Sequence, residues 1–203
     1  MKKLACPARM GRPREFDIEQ ALAAAMLVFW RKGYEGASMA DLTEATGVSR
    51  PSLYSAFGNK EALFKKALER YVREKLDFID RALAAPTARG VAEGMLHGML
   101  ALQTKEGDPR GCLGVINSVA CGTEAEAIRA DVLARGSAIK DAMVARFERA
   151  REEGDLPQGT DPVAIAIYLI ALLQGIALQA GAGAPNEELS GLVEGCLALW
   201  PSA

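Results

Sequence analysis

A single histidine and four scattered cysteines leave this chain of 203 residues short of the groups from which catalytic and metal sites are built. With His97 the only imidazole, most nucleophile–histidine triads and histidine-based metal sites are excluded. Cys6, Cys112, Cys121 and Cys196 show no metal-ligand spacing. No nucleophile stands with a base partner, so no enzyme is expected and no cofactor is implied. The first residues, MKKLACPARMGRPREFD, lack the apolar stretch of a signal peptide. Thiols without an export signal fit a reduced, cytoplasmic protein. No run alternates apolar and polar residues between hairpin turns, so strands are excluded and the chain reads as all-α. A general excess of basic charge is lacking too, since the formal net charge is −2. The distribution is uneven: residues 1–75 carry 14 Lys+Arg against 9 Asp+Glu, the remainder 10 against 17. The positive potential therefore lies with the N-terminal third.

That third holds the most informative stretch, SMADLTEATGVSRPSLYSAFGNKEALF from Ser38. Ser38 and Asp41 fit a capping box, and Leu42 and Ala45 give the short helix behind it an apolar face. Gly47 stands where a helix end wants a positive φ. Ser49 can cap the next helix, with Pro51 in its first turn. Leu53 and Phe57, at i and i+4, face inward and leave Arg50, Ser52, Tyr54 and Ser55 on the opposite face. Gly58 stops this helix and Asn59 caps a third. The pattern is a helix-turn-helix whose second helix offers one Arg, one Tyr and small hydroxyls to a groove.

Residues 14–66 resemble the DNA-binding domain of the TetR family of transcriptional repressors. The resemblance rests on a preceding helix, the link GYEGAS, the Gly-Val-Ser turn, the Leu-Tyr-x-x-Phe helix and the x-Lys-Glu-x-Leu start of the helix that follows. It implies an N-terminal domain (1–60) that binds double-stranded operator DNA. It also implies a helical domain (61–203) for ligand binding and homodimerisation. At matching positions, Ser38, Arg50, Ser52, Tyr54 and Ser55 would meet the major groove or its phosphates, and Lys60 a phosphate. A helix N-terminus at Asn59 independently favours an anion there. Arg12 and Arg14, around Pro13, would reach phosphates or a narrow minor groove, or belong to a solvated tail that orders on DNA.

Before this motif, a helix is predicted from Ile18 to Lys32, capped by Asp17, with Ile18, Leu22, Ala25 and Phe29 on its core face. After it, one long helix is predicted from Lys60 to Ala84. Others follow at 88–105, 112–121, from a Thr123/Glu126 capping box to Gly154, at 162–180 and at 187–199. Val163 to Ala184 approaches membrane-span length. Gln174, Gln179, the Gly-rich end and the missing basic flank favour a helix buried on two sides, one of them against a second subunit. With the last helix (Leu189, Leu192, Val193, Leu197) it would form a four-helix interface between two copies.

The C-terminal half offers a small, largely apolar effector few convergent charges. Met95, His97, Met99, Cys112, Asn117, Cys121, Met143 and Gln174 are its candidate contacts. His97 also reads as a half-buried, hydrogen-bonded ring. Met95 and Met99 share a face that suits either core or an adaptable pocket wall. Cys112 follows Arg110 and Gly111 and opens a helix, features that lower a thiol pKa. A thiol-based sensor switching through Cys112 is the alternative to a reversible effector, and simple packing is the third reading. Cys121 lies roughly 13 Å further along that helix and half a turn away, so the two cannot close a disulfide within it. A helical enzyme or binding protein carrying this N-terminal domain is the remote alternative.

Overall fold

The computed structural model describes residues 16–119, 122 and 125–201, which leaves Arg12, Arg14, Cys121 and Thr123 outside the described residues. Ten helices and no strand are present among the described residues: α1 (Ile18–Gly36), α2 (Met39–Thr46), α3 (Arg50–Phe57), α4 (Lys60–Lys75), α5 (Asp77–Leu83), α6 (Ala88–Thr104), α7 (Leu113–Ser118), α8 (Glu126–Glu152), α9 (Pro162–Gly181) and α10 (Asn186–Ala198).

The N-terminal helices begin and end where side-chain chemistry dictates. Asp17 Oδ1 accepts from the N–H groups of Glu19 (2.9 Å) and Gln20 (3.1 Å). Leu22, Ala25, Met26, Phe29 and Trp30 are buried, at ~1.5–3 kcal/mol for each large side chain. Gly33 interrupts α1 at φ 69° and ψ 176°, where the sequence predicts its end, and one further turn runs to Gly36. Ser38 Oγ accepts from Asp41 N (3.1 Å) while the Asp41 carboxylate accepts from Ser38 N (2.9 Å), completing the capping box. Leu42 is buried, but Ala45 is exposed, so the apolar face of α2 is narrower than expected. Gly47 takes φ 66° in the turn, and Ser49 and Asn59 cap α3 and α4. Leu53 and Phe57 are buried against the domain core.

The single helix expected over Lys60–Ala84 is two. Leu76 (φ −110°, ψ 12°) ends α4, and α5 restarts at Asp77. The reason lies on α6, where Gly94 and Gly98 stand one turn apart. A Cβ added at Gly94 would lie 2.8 Å from Ala82 Cβ, and one at Gly98 only 2.2 Å from Phe78 Cδ2. Redirecting the chain at Leu76 lets α5 lie against this glycine face. At α8 the expected cap gives way to Ala125, which makes no side-chain cap bond.

The helix α9 is long and apolar enough to cross a membrane by length and composition, with mean hydropathy 2.1 over its most apolar window. One side of it is core: Ile165, Ala166, Leu169, Leu173, Ile176 and Ala177 are buried among α6, α8 and α10. Val163 (44% exposed), Ile167 (51%) and Leu178 (65%) face outward. Spaced at i, i+4 and i+15, they share a single stripe.

Candidate nucleic-acid interface and effector cavity

The free face of α3 carries Arg50, Tyr54 and Ser55, all exposed, whereas Ser52 is half-buried with its hydroxyl 2.9 Å from Ser49 Oγ. Arg50 donates through Nε (3.2 Å) and Nη2 (3.1 Å) to the Tyr54 hydroxyl, and its guanidinium carbon lies 5.2 Å from the ring centroid. The two side chains present one unit to anything docking on this face. Lys60 is half-buried, its ammonium 4.5 Å above the Tyr34 ring. Ser38 sits at the head of α2, its hydroxyl engaged with Asp41. The Lys32 ammonium, 2.6 Å from Asp41, and the Ser38 N–H and hydroxyl hold that carboxyl well below the usual carboxylate range. The cap is therefore fully ionised at neutral pH.

A second feature is a half-open cavity of about 410 Å³ between α4, α5, α6, α7, α8 and α9, whose lining includes the exposed Leu133, Ser137 and Gln174. Leu68, Val72, Leu76, Ile79, Val115, Val132, Ile139, Ile170 and Leu173 give its wall an aliphatic character. Of the sequence candidates, Met99, Cys112, Met143 and Gln174 line it. Met95 is core packing instead, fully buried one turn from Met99. His97 is exposed rather than half-buried, on a face of α6 turned from the cavity. Asn117 is buried but off the wall, and Cys121 lies outside the described residues. Sequence reasoning missed Tyr71, Arg135 and Lys140 as lining groups. The spacing of Leu68, Val72, Leu76 and Ile79 marks the right face of the chain. Periodicity cannot separate a face against a void from one against core.

Cys112 caps α7 without a side-chain hydrogen bond and is buried. The neighbouring cation does not serve it: Arg110 Nη2 donates to Ala184 O (2.6 Å) and Asn186 Oδ1 (3.3 Å) across the α9–α10 loop. The cation expected beside the thiol is thus committed to the α9–α10 loop. The Tyr71 hydroxyl lies beside that thiol, buried and without a hydrogen-bond partner. Burial, with the Cys112 thiol adjacent, raises the Tyr71 pKa well above its ordinary value and keeps the phenol neutral.

The cavity wall and the N-terminal helices meet at α7. Cys112, Gly114, Val115 and Ser118 face the cavity. Toward α1, the Gly111 carbonyl accepts from Trp30 Nε1 (3.1 Å), and Gln103 holds the same residue, its Oε1 accepting from Gly111 N (2.6 Å). At the other end, Asn117 Oδ1 accepts from Tyr34 N (2.8 Å) while Asn117 Nδ2 donates to Leu113 O (2.8 Å). Trp30 in turn meets the cavity residue Tyr71 edge-on, with centroids 4.8 Å apart. Tyr34 is the residue beneath Lys60.

Both parts of the chain match known proteins. Residues 21–67 match the family model for bacterial regulatory proteins of the tetR family, and residues 92–191 the model for a tetracyclin repressor-like C-terminal domain. The HTH-type transcriptional repressor ComR of Escherichia coli K12 is 34% identical over 201 residues, covering 94% of this chain and 92% of ComR. A cysteine mutant of the TetR family transcriptional regulator CifR, complexed with 26bp double-strand operator DNA, superposes with a TM-score of 0.86 at 40% identity. That likeness covers 94% of this chain and all of CifR. The reduced form of NemR from E. coli, at 22% identity and a TM-score of 0.71, shares the fold over 91% of this chain and 96% of its own.

Proposed function

This chain belongs to the TetR family of bacterial regulatory proteins, DNA-binding and not enzymatic, and from that premise we propose a homodimeric repressor released from its operator by a small, largely apolar effector. In this reading residues 1–60 are the DNA-binding head and 61–203 the effector and dimerisation domain, working in the cytoplasm where the operator is. Arg50, Tyr54 and Ser55 face the major groove or its flanking phosphates. Lys60 contacts phosphate, and Ser52 and Ser38 stand at its edge. Two copies related by a two-fold axis pair their α9 and α10 surfaces and set the spacing of the heads.

One observation carries the regulatory part: the helix that walls the cavity is hydrogen-bonded at both ends to α1 of the head, through Gly111–Trp30 and Asn117–Tyr34. A ligand that fits only one position of α7 biases Tyr34, and with it the Lys60 that rests on its ring. Coupling of ~1–3 kcal/mol changes DNA affinity by ~5–150-fold.

The test begins with enrichment of sheared genomic DNA on the reduced, full-length protein. Anisotropy of an enriched fragment then reports release by members of a small-molecule library. Wild type is compared with Leu173→Trp, which fills the cavity from α9, away from α7 and the head. Compounds that release wild type but not Leu173→Trp establish the cavity as the effector site. Release of both proteins alike, or of neither, removes it. Failure to enrich any fragment counts against the operator itself.

A further inference from the structure

The cations on the cavity wall are unequal. Arg135 is neutralised in place, 3.4 Å from Asp131 and 3.7 Å from Glu69. Lys140, half-buried and five residues further along α8, forms no hydrogen bond or ion pair among the described residues. An ammonium partly withdrawn from water beside apolar walls is poorly solvated, and an anion placed against it there gains more than at an open surface. Tyr71 adds a neutral, buried phenol O–H, set against the Cys112 thiol and with no partner at good hydrogen-bond geometry. Both groups are donors, so both call for acceptor oxygens, while the rest of the wall is predominantly aliphatic.

Resting on the effector reading above, we infer that the cavity takes an amphipathic monoanion: an aliphatic body bearing one carboxylate, which pairs with Lys140. The size follows from the volume. At roughly 30 Å³ per non-hydrogen atom, 410 Å³ holds a ligand of about a dozen such atoms. A cationic head is disfavoured by Lys140, and a neutral head leaves the ammonium unpaired. Of the acidic groups around this wall, Asp131 and Glu69 are engaged with Arg135 and Asp77 with Arg81, while Asp80 stands with Ile139 in the neighbouring groove.

The experiment is isothermal titration calorimetry of the full-length, reduced protein with decanoate, decanol and decylamine, three probes of one chain length. Wild type, Lys140→Met and Lys140→Arg are compared. Met keeps the unbranched stem and removes the charge; Arg keeps the charge. Wild type is expected to bind decanoate about tenfold or more tighter than decanol, the gain of one charge-assisted hydrogen bond. Lys140→Met should lose that preference with decanol affinity unchanged, and Lys140→Arg should retain it. Equal affinity for decanoate and decanol, or a preference that survives in Lys140→Met, overturns the anion assignment. Binding of none of the probes overturns it too. The effector reading is decided apart from this, by the Leu173→Trp comparison: release of operator by a neutral ligand from wild type alone leaves the effector site standing without the anion.

Discussion

On α3 the Arg50 guanidinium donates twice to the Tyr54 hydroxyl, so the two side chains form one unit on the exposed face. Arg50→Ala should relax preference at particular base pairs, because an Arg paired to guanine is worth ~1–3 kcal/mol of discrimination. A uniform loss across sequences would make it a phosphate contact. Tyr54→Ala and Lys60→Ala should weaken binding about equally at all sites, Lys60→Ala also flattening the salt dependence by about one unit of slope. Unchanged affinity in both removes the assignment. Ser38→Ala is a poorer probe, since losing the cap costs ~1 kcal/mol of stability whatever the hydroxyl does for DNA. The cap can be read by titration instead. Asp41 has a folded pKa below its unfolded value of about 3.9, so its contribution is present above that pH and is lost as pH falls through the folded value. The Tm advantage of wild type over Asp41→Asn should therefore be constant from pH 7 to 5 and shrink on further acidification. An advantage that persists undiminished at the lowest pH the fold survives would show that the charge is not its source.

Among the elements, α5 shows what sequence periodicity could and could not reveal. Leu63, Leu68, Val72, Leu76 and Ile79 continue one helical stripe, which is why α4 and α5 read as a single helix. The break at Leu76 is imposed from outside by the bare face of α6. Gly98→Ala would put a methyl into the Phe78 ring and should destabilise by ~1–3 kcal/mol in chemical denaturation. In a Phe78→Ala background the same change should cost far less, a non-additivity that identifies the contact; equal costs in both backgrounds would place the strain elsewhere. The caps, by contrast, were legible: Asp17, Ser38, Ser49, Asn59 and Asp161 each act on backbone two or three residues away. The sequence offers Asn117 only as a candidate effector contact, yet its partners are Tyr34, 83 residues distant, and Leu113. No local pattern reports such a pairing. Asn117→Asp keeps the acceptor for Tyr34 N, whereas Asn117→Leu leaves that N–H unpaired, at ~1–3 kcal/mol for a buried group. If α7 couples cavity to head, Asn117→Leu should bind operator yet respond to ligand less than Asn117→Asp does. Equal responses would mean the coupling runs through Trp30 and Gly111 or along α4.

At the scale of the molecule, the outward side of α9 has the chemistry of a helix that is only half covered. Val163, Ile167, Ala171 and Leu178 recur at four- and seven-residue steps and are exposed. On α10, Gly191, Leu192, Gly195 and Leu199 are exposed as well, and nothing lies within 4 Å of a Cβ added at Gly175, Gly191 or Gly195. Apolar side chains flanked by bare glycine backbone make a surface on which a second pair of helices can pack closely. A dimer of this kind commonly buries about 1,200–2,000 Å² in total, and one charge at its centre is enough to oppose it. Ile167→Glu should thus sediment as a monomer at micromolar concentrations where wild type is a dimer. Its helix content should be unchanged, because position 167 faces away from the core. The same variant should lose roughly 10²–10⁴-fold in operator affinity, the avidity of two linked heads, while a single half-site binds it and wild type alike. A dimeric Ile167→Glu would place the interface elsewhere. A monomer that keeps full operator affinity would mean that the heads bind independently, and α9 would then have no part in setting their spacing.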